Sequence, residues 1–257
     1  LDSYEKQLTN WQHSEINHDF NLKGYLYHFR VWGGLADENL LKTFDFLFRF
    51  RYQGLILSII LLSILKIIVS RYPGYRLLFN LVFIGGLSML AEMIILLWYQ
   101  INFGNLYSAL ALIFGLFMLG LAVGAWWSLN GFLRYFSFSQ LYLAYFFLLM
   151  AMLLIIGLPN WQPVVLWRFA LLYKWILIPL LVFLDGLFAG SFFAHTTREY
   201  YHLKPGSSPG ITYGVDLVGG VLASIITSIL LVPFFGLAGI TGIAIGLVLV
   251  FWLFEWK

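Results

Sequence analysis

Cysteine is absent from the 257 residues, and charge is scarce, with Asp, Glu, Lys and Arg together making 11% of the chain. The first absence removes disulfides, thiolate metal sites and iron–sulfur clusters. The second removes the soluble globular class, whose members carry about a quarter of their residues charged. Histidine is sparse as well. His13, His18 and His28 fall in a polar amino-terminal part, and His195 and His202 fall at or beyond the end of an apolar segment. No two of them face each other across spans as a b-type haem requires. The group His13, Glu15, His18 and Asp19 matches no standard metal spacing. There is no phosphate-cradling glycine loop and no nucleophile with a base at recognisable spacing. The residues therefore imply no metal, no cofactor and no catalytic constellation. A net charge of +3, small and scattered, argues against a nucleic-acid partner.

What is present is apolar surface. Hydrophobic residues make 61% of the chain, and the mean hydropathy is +0.86. Such a chain belongs in a lipid bilayer as an all-α, polytopic transmembrane bundle, because only helices or closed barrels satisfy their backbone groups there. Apolar stretches long enough to cross lie at 53–70, 77–101, 105–128, 137–158, 171–194, 211–233 and 235–254, about seven spans. Pro233 and Gly236 mark the boundary between the last two. One helix running through both would be roughly twice the length that crosses once.

Residues 1–39 contain no such run and form a short extramembrane segment, too small for an enzyme domain. In 40–52, Leu40, Leu41, Phe44, Leu47 and Phe48 share one helical face and Lys42, Asp45 and Arg49 the other, the pattern of an interfacial helix. The bundle then occupies 53–257. Tryptophans such as Trp98, Trp126, Trp127 and Trp252 fall near predicted span ends, as an aromatic belt requires. "HTTREYYHLKPGSSPG", from His195 to Gly210, is the longest polar loop between spans, and its His195, Arg198 and Lys204 suit an anionic head group or partner. Lysines and arginines are shared too evenly between the two sides to orient the bundle.

Small residues recur four apart: Gly120 and Gly124 in the third span, Gly186, Gly190 and Ala194 in the fifth, and Asp216, Gly220, Ser224 and Ser228 in the sixth. Each stripe permits close helix approach. Three carboxylates, Glu92, Asp185 and Asp216, lie inside spans, at a cost of about 2.5–3.5 kcal/mol each if ionised and facing lipid. They must face the bundle interior or a wet cavity, or be protonated. Counting rise per residue puts Glu92 and Asp185 near the midplane and Asp216 nearer one surface. Lys66 and Lys174 are long enough to snorkel to the surfaces.

The stretch "GLSMLAEMIILLWYQINFGNLYSALALIFGLFMLGLAVGA", residues 86–125, resembles a helix pair of multi-pass membrane proteins related to spermidine synthase. The matching positions are Gly86, Ser88, Met89, Glu92, Gln100, Gly104, Tyr107, Phe117, Met118, Gly120, Leu121, Ala122 and Gly124. In the sixth span Tyr213, Asp216, Leu217, Gly219 or Gly220, then Pro233 and Gly236, resemble the same family. "INHDFNLKGYLYHFRVW" is similar to its linker, although the proline expected after Asp19 is missing and Leu22 and Lys23 stand there. The resemblance covers about residues 16 to 240. It implies the membrane half of a fused protein in a bacterial inner (plasma) membrane, with a synthase-like domain upstream of residue 1. Any transferase activity would need that domain, and none of its catalytic residues can be carried over.

Two function classes follow. One is the binding or transport of a cationic, polyamine-like solute at Glu92, Asp185 and Asp216. The other is a non-catalytic scaffold or accessory subunit, which would use the small-residue stripes and the long polar loop against other membrane subunits.

Overall fold

The computed structural model describes residues 46, 49–103, 107–130, 136–157, 176–208 and 210–255. The extramembrane segment 1–39 lies outside these, as does most of the expected interfacial helix. Of the latter, Arg51 and Tyr52 already belong to the first spanning helix.

Among the described residues the fold is all helical. The helices are α1 (Arg51–Ser70), α2 (Pro73–Phe103), α3 (Tyr107–Asn130), α4 (Phe138–Gly157), α5 (Ile178–Leu203), α6 (Gly210–Ile226) and α7 (Val232–Glu255), with a five-residue π-helical stretch, Thr227–Leu231, between the last two. Among the described residues six helical segments are long and apolar enough to cross a membrane. The chain is thus an integral membrane helical protein.

The count differs from the seven spans expected because Gly210–Glu255 is one helical segment of 46 residues. Helical hydrogen bonding continues on both sides of Pro233 and is interrupted at a single residue, Gly236 (φ 67°, ψ 175°), a backbone conformation that glycine alone adopts without strain. Contacts show that the segment doubles back. Near its start, Asp216 and Gly219 lie against Val82, Gly85 and Gly86 of α2. Near its end, Phe251 stacks on Phe83 and Phe79, and Glu255 accepts a hydrogen bond from Asn80. Both ends of the segment therefore meet the same few turns of α2. The bend lies at the opposite level, where Arg51 donates to the Phe234 carbonyl (3.2 Å) and Tyr52 packs edge-on against Phe235.

A second departure is at α5. The expected loop from His195 is helical through Leu203, and Tyr200 is buried, so the helix outruns its apolar part before Lys204, Pro205 and Gly206 end it. Trp98 departs too: it lies in the core rather than in an aromatic belt, whereas Trp126 and Trp127 are exposed.

The closest helix contact joins α3 and α5. A methyl group at Gly120 would overlap the Phe183 carbonyl, one at Gly124 the Leu187 carbonyl, one at Gly186 the Phe117 carbonyl and one at Gly190 the Leu121 carbonyl. Ser191 adds a hydroxyl bond to the Gly124 carbonyl at 3.1 Å. The order of contacts is the same along both helices, which run parallel. α2 and α6 make the next such pair, through Val82 against Gly219 and Gly86 against Ala223. By contrast α1 is peripheral: only 6% of its most apolar window is buried, and its sole buried residue is Lys66.

These contacts generate a matched pair of outcomes. Gly124→Leu drives a side chain into the α5 backbone and is expected to cost about 1–3 kcal/mol or more of stability. Gly115→Ala, where a Cβ meets nothing within 4 Å, is expected to be neutral or slightly stabilising, since alanine is the better helix former. Thermal melting of both variants in one detergent checks the contrast.

Candidate functional site

The three intramembrane carboxylates come from three helices. On α2, Gly85, Ser88 and Glu92 follow one another at helical spacing and share a face. Gly85 has no side chain where the Asp216 carboxylate of α6 lies; a Cβ there would be 2.5 Å from Asp216 Oδ1. Asp185 of α5 directly precedes Gly186, so the approach of α5 to α3 turns Asp185 toward α2 and α4 instead. Glu92 is within electrostatic range of Asp185.

Tyr145 of α4 is the common neighbour. Its ring is fully buried and its hydroxyl donates to the backbone carbonyl of Asp185 at 3.4 Å. The same hydroxyl interacts with Ser88 and with the charges of Asp185 and Asp216. The structure thus gathers Ser88, Glu92, Tyr145, Asp185 and Asp216 into one polar cluster.

Its hydrogen bonding is incomplete. Asp185 and Glu92 are 1% and 3% exposed, yet both carboxyl oxygens of Asp185 and Oε1 of Glu92 have no hydrogen-bond partner. Asp216 is only half-buried. Beneath the acids, Ile94, Ile95, Trp98, Met152, Ile155, Ile178 and Leu181 surround a small apolar void of about 20 Å³. Such a lining offers water no hydrogen bonds and stays dry.

The other stripe residues are placed differently. Gly120, Gly124, Gly186 and Gly190 are taken up inside the chain, between α3 and α5, rather than offered to another subunit. On α6 the tight contact is at Gly219. A Cβ at Gly220, the expected stripe residue, would stand at ordinary contact distance, 3.7 and 3.9 Å, from Gly85 O and Met89 Cβ. Ser224 bonds back to the Val221 carbonyl of its own helix, at 3.0 Å, and Ser228 is exposed.

A second polar cluster was not legible as such. Lys66 does not snorkel outward; it is 1% exposed and turns inward. Its ammonium donates to the Glu255 carboxylate at 2.7 Å and to the Asn80 side-chain oxygen, and Asn80 also donates to Glu255 at 3.0 Å. The pairing joins residues 189 apart. The available signal was Asn80, a lone carboxamide within an apolar run that requires a partner there.

Among the described residues no group of three or more histidines and acids is placed to hold a metal ion. No protein-family model matches the chain, and neither a curated protein nor a solved structure does. The resemblance to membrane proteins related to spermidine synthase rests on its motifs.

The two clusters are expected to respond oppositely to loss of charge. Asp185→Asn and Glu92→Gln remove carboxyls whose hydrogen bonding is incomplete, so thermal stability should hold within about 1 kcal/mol or rise. Lys66→Met leaves Glu255 and Asn80 buried beside a lost charge, and should cost about 3–5 kcal/mol. Melting curves of the three purified variants separate these outcomes.

Proposed function

We propose that this protein binds a proton or small cation within the bilayer, at the carboxylates Glu92, Asp185 and Asp216. The observation that carries the reading is the pair of buried acids, Glu92 and Asp185, in electrostatic contact with each other, with the Tyr145 hydroxyl beside Asp185 and no hydrogen-bond partner on Oε1 of Glu92 among the described residues. Two such groups side by side repel when both are ionised, and sharing a proton or binding a cation relieves that repulsion. Tyr145 and Ser88 supply hydroxyls that can relay a proton or complete the coordination of an ion. The polyamine-like solute suggested by the family resemblance is a larger member of the same cationic class. The close seating of Asp216 over Gly85 favours the smaller ligands.

Seven passes accompany this reading. The reversal at Gly236 makes α6 and α7 two separate crossings, so α1 to α7 alternate in direction. α1 and α7 then run parallel, in keeping with Arg51 at Phe234 and Lys66 at Glu255. In the scaffold reading, the surfaces left for other subunits are the exposed faces of α1 and α6, since the closest glycine contacts are used internally.

The absence of native cysteine makes topology directly measurable. Phe50→Cys and Phe254→Cys, probed with a membrane-impermeant thiol reagent on sealed vesicles, should label from opposite faces. Labelling from one face would mean an even number of passes.

The site has its own test. A lipid-soluble carbodiimide, which attacks protonated carboxyls, should modify Glu92 or Asp185 in vesicles. The modification should fall as pH rises and when sodium, potassium, ammonium or spermidine is bound. Modification independent of pH and of all four cations would show the acids to be structural.

A further inference from the structure

The second cluster has the chemistry of a receptor for an ammonium group. Around the Lys66 ammonium stand a carboxylate, Glu255 Oε1 at 2.7 Å, the carboxamide oxygen of Asn80, and the Phe251 ring, whose centroid is 5.1 Å from Nζ. An anion, a neutral acceptor and an aromatic face are the partners that a desolvated ammonium requires. One more polar group waits beside them. The Tyr142 side chain is fully buried against Phe251, at 6.4 Å between ring centroids, and its hydroxyl has no hydrogen-bond partner. The Arg76 charge also reaches Glu255, and Arg76 Nε is unpartnered. That guanidinium offsets part of the Glu255 charge.

The occupant of this seat arrives on the helix that is bound least. α2 and α7 supply Asn80, Glu255 and Phe251 and pack broadly against the bundle. α1 supplies Lys66 as its one fully buried residue, and its opposite end is tied at Arg51 and Tyr52 to Phe234 and Phe235. Along α1 the residues flanking Lys66, such as Ile64, Leu65, Ile67 and Ile68, are exposed, and in a bilayer they meet lipid equally well wherever the helix stands. Swinging the Lys66 end of α1 outward about its Arg51 end thus costs little apolar contact beyond the lysine itself.

We propose that the pocket formed by Asn80, Tyr142, Phe251 and Glu255 is a binding site for a primary ammonium group, and that α1 is its lid, holding the seat with Lys66. The ligand is either a free alkylamine or the ethanolamine head group of a lipid, which share this group. The site stands independently of cation binding at Glu92 and Asp185. Tyr142 and Tyr145, three residues apart on α4, belong one to each cluster.

Chemical rescue tests the site. Lys66→Ala removes a side chain whose missing part has the shape of n-propylammonium. Adding n-propylammonium chloride to the detergent-solubilised variant should raise Tm saturably. Tetramethylammonium chloride at equal ionic strength, which has no N–H donors, should not. The rescue should vanish in Lys66→Ala/Glu255→Gln. Equal effects of the two salts, or rescue that survives in the double variant, would overturn the proposal. In nanodiscs, a Tm of Lys66→Ala that is higher in ethanolamine lipid than in choline lipid, with no added amine, would assign the head group as the source. A Tm that responds only to added n-propylammonium would assign a free amine.

The lid is tested on the native protein, which needs no variant to fold. Acetic anhydride applied in choline-lipid nanodiscs, followed by mass spectrometry, should acetylate Lys66 well below the unfolding temperature. A lysine that stays unmodified until the protein unfolds would mean that the seat is never vacated, and would overturn the proposal.

Discussion

The contact on which the rest of the structure depends is backbone against backbone, between α3 and α5. Lipid tails are as apolar as leucine, so two helices in a bilayer gain nothing by hiding hydrophobic side chains from it. What remains is dispersion and hydrogen bonding at short range. Gly120, Gly124, Gly186 and Gly190 let peptide groups of the two helices touch directly, and Ser191 adds its hydroxyl to the Gly124 carbonyl. This contact also sets the chemistry. Gly186 must face α3, and Asp185 is one residue, or about 100°, round the helix. The carboxylate is carried away from α3 and into the space held by Tyr145 and Glu92.

The two polar clusters show the two ways of keeping charge inside a membrane. At Lys66, Asn80 and Glu255 each charge is met by its opposite and by a further donor or acceptor, so the burial cost is largely offset. At Asp185 the charge acting on the carboxyl is that of Glu92, of the same sign, and Oε1 of Glu92 has no hydrogen-bond partner among the described residues. In the first arrangement an ammonium is already seated, supplied by Lys66 itself. In the second no ammonium or guanidinium among the described residues acts on Asp185, and that asymmetry separates the two clusters. α4 connects them, with Tyr142 at one cluster and Tyr145 at the other.

Much of this was legible in the sequence, and the rest was hidden for physical reasons. Spans were legible because hydrocarbon thickness fixes a length that composition alone reveals. The end of α5 was not, because polarity marks where lipid stops, and a helix need not stop there; Tyr200 stays buried beyond that point. Glu92, Asp185 and Asp216 stood out as costly residues, but their common neighbour Tyr145 did not, since a tyrosine among many aromatics carries no signal until its hydroxyl is placed. Gly219 and Gly220 differ by one residue, and choosing between them requires knowing which way α2 lies. Lys66 read as a snorkelling side chain because its partner is 189 residues distant.

That distant pairing rests on a single backbone torsion. If Gly236 continued the helix, α6 and α7 would form one rod, and Glu255 would stand roughly 60 Å from Asp216 at 1.5 Å per residue. In the fold the chain turns at Gly236 with φ 67°, and both residues return to the turns of α2 between Asn80 and Gly86. A residue with a Cβ is strained at that torsion, so substitution there would act on a site most of a helix length away. The positive φ of one glycine is therefore what allows the chain to bring Glu255 to Lys66 and Phe251 to Tyr142.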